Sequence, residues 1–351
     1  MTRLGYRERV DIALWSGDPE HVLDVAEAAH RASRADFTMV WGEIAHYLAR
    51  QPAAARTPLL RAVPGRYDRT APGSGFRSGL LYLAVVLAHG LPDDLLVDER
   101  RAALATVEDV WHYPAHTRLH VLAEAELAAG RSLSPPLVAV FRRSAELHGM
   151  PDVVRLAARL EEPVLNVGEQ WADAALADLP SPGHAWRGLL AHAATARSTK
   201  PSAAWERKGQ GLLDGIGAAV VRERVLPWLA LVGRPRSLPL RQEDHTTGPA
   251  GELLDPCNAN ALRGLTWLLS LAEPHEETVL ALGALADACL RVVPRHGPRS
   301  PKVANAAVHA LSRAGGPTAL RELRRLAAGT SYKGTRKYID AALAAHGPCP
   351  V

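Results

Sequence analysis

Few residues in this chain invite a chemical reading by type and spacing. His112, His116, His120 and Glu124 follow one another at four-residue intervals, the pattern of a metal stripe on a helix. Each such step drifts by about 40° around an α-helix, so the four fan out over about 120° and do not converge on one ion. Pro114 falls between the first two and predicts that His112 precedes the helix. The HExxH arrangement of zinc hydrolases is missing, and no metal site is expected. GQGLLDGIG from Gly209 follows a helical stretch instead of a strand and lacks the glycine spacing of a dinucleotide cradle. PGSGFRSG from Pro72 has no Lys-Ser/Thr pair for a P-loop, and its Ser74 lacks the strand–turn–helix context of a nucleophile elbow. Cys257, Cys289 and Cys349 are widely spaced and odd in number, which fits a reducing compartment and gives no zinc or disulfide framework. No nucleophile, base and acid assemble from spacing, no cofactor is expected, and the reading is of a non-enzymatic protein.

Binding chemistry is better represented. From Glu252 to Asp287 there are six acids against one base, Arg263; from Arg291 to Lys337 there are eleven bases against one acid, Glu322. Adjacent blocks of opposite sign on a rigid frame create a field that orients a partner. Arg299, Lys302, Lys333, Arg336 and Lys337 are the expected binding surface, the first four at or near helix starts where backbone N–H groups also favour anions. Asn260 and Asn305 stand at comparable points of successive helices, followed by Arg263 and His309. Low helix propensity gives such asparagines one of two roles: locking neighbouring helices together, or lining a polar face. Trp205, flanked by Lys200, Glu206, Arg207 and Lys208, is the tryptophan to watch for cation–π or base stacking. Trp171, Trp186, Trp228 and Trp267 sit on apolar helical positions and are expected to pack.

The elements that must position these residues are helices. Asp or Ser followed by Pro opens an apolar stretch at Asp18-Pro19, Ser134-Pro135, Ser181-Pro182, Asp255-Pro256 and Ser300-Pro301. The first side chain caps a free N–H, and proline at the first helical position forfeits no bond. Val22, Leu23, Val25, Ala26 and Ala29 form one helical stripe, and Val303, Ala307 and Leu311 another. Five helices are predicted near 256–271, 276–293, 301–314, 317–328 and 332–346, with no strands. Breaks longer than a turn fall at Val63–Gly79 and Gly233–Leu254. The 47-residue interval from 134 to 181 and the 45-residue interval from 255 to 300 match the period of helix-pair repeats. With 47% hydrophobic and 22% charged residues the chain lies outside the disordered range. Its longest apolar run, Leu80 to Ala88, is too short for a bilayer, and the charged N-terminus lacks a signal-peptide core. A cytoplasmic protein with no membrane contact is expected.

Several strings resemble a known family: HAATARSTKPSAAWERKGQGLLDGIG from His192, LPWLALVGRPRSLPL from Leu226, DPCNANALRGLTWLLSL from Asp255, PRSPKVANAAVHALSRAGG from Pro298 and TSYKGTRK from Thr330. They are similar to the HEAT-like helical region of bacterial MolR-type proteins, which carry the domain of unknown function numbered 4132. The likeness spans about residues 170–346. It implies an all-α, HEAT-like α-solenoid of stacked antiparallel helix pairs. Members are often encoded beside AAA-type ATPases and von Willebrand A-domain proteins, which implies a protein partner of that kind. Activity located in the long segment that follows this region in larger members is not carried over. The expected organisation is a helical region over 1–165 continuous with the repeats, HEAT-like helices over 166–232, a loop insertion at 233–254 and further repeats over 255–347. The leading functional expectation is an interaction scaffold with a charge-polarised concave face. The alternative is a nucleic-acid-binding or base-repair protein similar to the HEAT-like alkylpurine DNA glycosylases, for which no matching catalytic aspartate is present.

Overall fold

Proline after aspartate or serine starts a helix at four of its five positions. In the computed structural model, helices Pro19–Asp36, Pro135–His148, Pro256–Leu269 and Pro301–Ala314 all begin there. Asp18 accepts from the Glu20 N–H at 2.9 Å, Ser134 from Leu137 at 3.4 Å and Asp255 from Cys257 at 2.9 Å. Ser300 makes no such bond. Ser181-Pro182 and His116 lie outside the described residues, which are 5–36, 40–91, 94–113, 117–179, 184–241 and 251–346. Those residues hold eighteen α-helices and one two-stranded ribbon, an all-α chain. Among them, no helix is long and apolar enough to cross a membrane.

The chain divides into two compact units, Met1–Glu108 with Pro114–Leu133, and Asp109–Tyr113 with Ser134–Val351. The division thus falls ahead of residue 165, and the 233–254 segment lies inside the second unit. The first unit holds α1 (Tyr6–Ser16), α2 (Pro19–Asp36), α3 (Val40–Ala49), α4 (Ala53–Arg69), α5 (Gly75–Ala88), α6 (Val97–Ala105) and α7 (Leu119–Ala128). The predicted break at Val63–Gly79 is corrected here: only residues 70–74 separate α4 from α5, although Pro58 and Pro64 stand inside α4. Each of those prolines removes an intrahelical bond. Burial of Leu59, Leu60 and Val63 against α2 and α5 offsets that loss. A polar knot closes the unit. Arg100, nearly fully buried, donates to Glu126 at 3.2 Å and also to Asp94; Arg131 reaches Glu126 and Asp94 at 2.6 Å each. Burial pushes the Glu126 carboxyl up, and the hydrogen bonds from Arg131, Arg100 and Arg101 overcome it, leaving the acid below its ordinary range.

The second unit holds α8 (Pro135–His148), α9 (Pro151–Arg159), α10 (Gln170–Ala177), α11 (His184–Ala194), α12 (Ala203–Ile216), α13 (Ala218–Leu229), α14 (Pro256–Leu269), α15 (Glu276–Leu290), β1 (Val292–Val293), β2 (Gly297–Pro298), α16 (Pro301–Ala314), α17 (Gly316–Gly329) and α18 (Lys333–Ala345). Its helices form two rows. In one, α13, α15 and α17 lie side by side; in the other, α11, α14, α16 and α18 do. Nearly every side chain of α14 from Asn258 onward is buried, which makes it the central helix. Gly264 is where α11 crosses it, for a Cβ there would overlap the Ala193 backbone. Gly209 serves α12 similarly, with a Cβ falling 2.8 Å from Leu268 Cδ2, so within GQGLLDGIG the first glycine is a packing position. The β1–β2 ribbon, absent from the sequence reading, turns through Arg295 with φ 62° and Gly297 with φ 95°.

Candidate functional site

α14 begins in a buried polar cluster that no spacing in the sequence announces. Asp255 caps the helix and meets Arg143 Nη1 at 3.0 Å, with both side chains essentially inaccessible. Arg143 spends its other nitrogens on the carbonyls of Trp111 at 2.8 Å and Val110 at 2.9 Å. Asn166 Nδ2 donates to Asp255, Asn258 Nδ2 donates to Glu169 at 2.8 Å, and Asp255 N donates to Glu169 Oε1 at 2.8 Å. Burial pushes the Glu169 carboxyl up, with Arg236 opposing it at 3.5 Å. Each of these groups has a partner, so the cluster clamps the 160–170 segment to α14. Burial raises Cys257 well above the ordinary thiol range and Cys289 to about 12, so neither is a thiolate at neutral pH.

An open groove of about 680 Å³ runs beside this cluster between α8, α9, α11 and α14. Ala157, Ala158, Ala191 and Ala194 give it an apolar floor. Arg197 reaches Glu146 at 3.0 Å, and Arg187 pairs with Glu162. Among its described lining residues, no nucleophile stands beside a base.

The residues expected to bind are placed as follows. Asn260 is buried, donating to Glu146 at 3.3 Å and accepting from Arg263 at 3.4 Å. Arg263 is buried too, bonded to the Ser198 carbonyl and lying 5.6 Å over the Trp267 ring. Asn260 therefore ties α14 to α8, and Arg263 ties α14 to the connection between α11 and α12. Asn305 is half-buried, its Oδ1 enclosed without a hydrogen-bond partner. Trp205 is no free platform: its ring stacks on His192 at 4.3 Å, meets Trp267 edge-on at 5.3 Å, and its Nε1 donates to Thr195 at 2.9 Å. Arg299 is corrected from a surface residue to a buried pin. Its Nε donates to the Glu252 carbonyl at 2.7 Å and Nη1 to that of Gly233 at 3.1 Å, which ties both ends of the 233–252 segment to the start of α16. His112, of the histidine stripe, precedes α7 and meets His148 edge-on at 4.8 Å.

Lys302, Lys333, Arg336 and Lys337 are exposed. The separation of charge is partly cancelled, because the two blocks fold onto each other. Arg325 meets Asp287 at 2.6 Å and Arg321 lies 3.9 Å from Glu276, while Arg313 pairs with Glu206 of α12, outside the acidic block. Arg336 is held by Asp340 at 2.9 Å and by the Ala327 carbonyl at 2.7 Å. What stays uncompensated is local. α16, α17 and α18 reverse direction through short turns and pack on one another, so the starts of α16 and α18 and the end of α17 share one end of the unit. The ribbon that follows α15 joins them there through the Arg299 N–H to Arg291 carbonyl bond at 2.9 Å. Arg291, Arg295, Lys302, Lys333 and Lys337 all stand at this end, exposed and, among the described residues, without an ion-pair partner. Neither α16 nor α18 has a side-chain cap, so two positive helix ends add to the same field.

At this end lies a pocket of about 370 Å³, walled by Leu290, Val292, Pro298, Leu326 and Tyr332 with Arg291 at its edge. The Tyr332 ring lies against the first turn of α18, where Gly334 makes room; a Cβ there would sit 2.9 Å from the ring. The sequence reading missed Val292 and Tyr332, although Tyr332 stands in the string TSYKGTRK beside Lys333. No protein-family model, curated protein or solved structure matches the chain.

Proposed function

We propose that the chain is a non-enzymatic protein-interaction scaffold, its second unit built from helix pairs stacked as HEAT-like repeats and presenting a cationic end to a protein partner. The two rows α13–α15–α17 and α14–α16–α18 support the stacking, since neither row buries its apolar stripe without the other. The observation that carries the functional reading is the gathering of Arg291, Arg295, Lys302, Lys333 and Lys337 at one end without acidic partners among the described residues. Surface cations that merely solvate a fold are interspersed with acids, as Arg321, Arg325 and Arg336 are here. Uncompensated cations steer association and select an anionic surface.

The test is affinity capture from the native cell with the wild-type chain and with a Lys302→Glu, Lys333→Glu, Lys337→Glu variant. All three side chains are exposed, so the variant is expected to keep the wild-type melting temperature and lose the partner. Retention of the full set of captured proteins by the variant sinks the assignment. A duplex-DNA gel shift at low salt, abolished by the same substitutions, would move the reading to a nucleic-acid binder.

A further inference from the structure

The cationic end is not uniformly polar, and the pocket in its midst narrows what the partner can be. Leu290 from α15, Val292 from β1, Pro298 from β2, Leu326 from α17 and the Tyr332 ring give it an apolar side, and Asp287, Arg291, Thr330 and Ser331 a polar one. Val292 is 65% exposed and Tyr332 40%, so two largely apolar groups are held open to solvent beside five bases that have no ion-pair partner among the described residues. Asp287, the one acid in the lining, is already neutralised by Arg325 at 2.6 Å. A volume of about 370 Å³ stands at the lower end of the ~300–1,000 Å³ of pockets that enclose small ligands. It admits one large side chain and leaves the rest of a bound segment outside, over the basic rim.

We propose that this pocket takes one large apolar side chain, such as phenylalanine, from an acidic segment of a protein partner, whose flanking carboxylates meet Arg291, Arg295, Lys302, Lys333 and Lys337. The inference rests on the scaffold reading and specifies its partner. Nucleic acid suits the pocket less well. A phosphate backbone is tracked by cations along a groove, whereas here a single arginine lines the hollow, beside Asp287 and five apolar or aromatic side chains. An apolar anchor within a charged rim is the usual division of labour at protein interfaces, with the anchor supplying affinity and the charges supplying rate and selection.

The experiment is fluorescence anisotropy with a labelled synthetic peptide in which glutamates flank one phenylalanine, titrated at low and at physiological salt. Wild-type protein should bind it, and replacing the phenylalanine by alanine should weaken binding about tenfold, or about 1.4 kcal/mol. Val292→Ser, at an exposed strand position, should weaken the phenylalanine peptide and leave the alanine peptide almost unaffected. Lys333→Glu with Lys337→Glu should weaken both peptides by about tenfold. Arg207→Glu with Lys208→Glu, the same charge change on exposed positions of α12, should do neither, with all variants matched in melting temperature. Equal binding of the phenylalanine and alanine peptides overturns the anchor and spares the scaffold reading. No binding of either peptide at low salt overturns both, and binding of duplex DNA in preference to the peptides replaces the proposal with nucleic-acid recognition.

Discussion

Substituting Asp255 by alanine is the sharpest structural perturbation available in the second unit. The carboxylate is wholly buried, caps α14 through the Cys257 and Asn258 N–H groups, and faces Arg143 Nη1 at 3.0 Å. Removing it strands a guanidinium that is itself about 1% exposed. Breaking one partner of a buried pair costs about 3–5 kcal/mol. Loss of the cap adds about 1 kcal/mol. The sum, about 4–6 kcal/mol, is comparable to the whole stability of a marginal domain, about 5–15 kcal/mol. Asp255→Asn retains an oxygen for the cap while forfeiting the charge, and should cost distinctly less than alanine. Combining Arg143→Met with Asp255→Asn should cost less than the sum of the two singles, because each single leaves a buried charge unpaired and the double variant leaves none. The assay is urea unfolding followed by tryptophan fluorescence, which reports mainly on the second unit because six of the eight tryptophans lie there. The midpoint should fall at unchanged slope. An Asp255→Ala cost below about 1 kcal/mol, or strict additivity in the double variant, would refute the reasoning.

Gly264→Ala forces a methyl into the Ala193 backbone where α11 crosses α14, and should destabilise by about 1–3 kcal/mol in the same unfolding assay. Arg299→Met removes the pins on the Glu252 and Gly233 carbonyls, so proteolysis between residues 233 and 252 should accelerate while the helical circular dichroism stays near wild type. Burial holds the pKa values of His192 and His309 below the ordinary histidine range, so the unfolded chain takes up protons first as pH falls. Their contribution is therefore complete above about pH 6.5 and is lost as pH drops below it. Glu169, raised by burial, titrates with the opposite sign, so the readout is the difference between wild type and His192→Gln: melting temperatures from pH 8 to pH 5 should fall less steeply in the variant.

Local chemistry was legible in the sequence where it is written in neighbouring residues. Asp18-Pro19, Ser134-Pro135 and Asp255-Pro256 announce capped helix starts because cap and proline are adjacent, and α14 to α18 were predicted to within a few residues from a 3.6-residue stripe. Pro64 misled for the opposite reason: local propensity favours a break, and tertiary burial of Leu59, Leu60 and Val63 wins. The Arg143–Asp255 and Asn258–Glu169 pairs span 112 and 89 residues, and nothing in the spacing tells which buried charges will meet. Arg299 shows the limit for the candidate surface. A count of bases treats it like Lys302, but only the fold reveals that its guanidinium is turned inward onto carbonyls. The same folding pairs Arg325 with Asp287 and concentrates what charge remains at one end.

A charge swap tests the central claim most directly. The Lys302→Glu, Lys333→Glu, Lys337→Glu protein is titrated against the phenylalanine peptide carrying lysines in place of its glutamates, alongside the original pair and the two mismatched combinations. Tight binding in both matched combinations and weak binding in both mismatched ones is the predicted pattern. If the original peptide binds the reversed protein as well as it binds the wild type, the cationic end is not the docking surface.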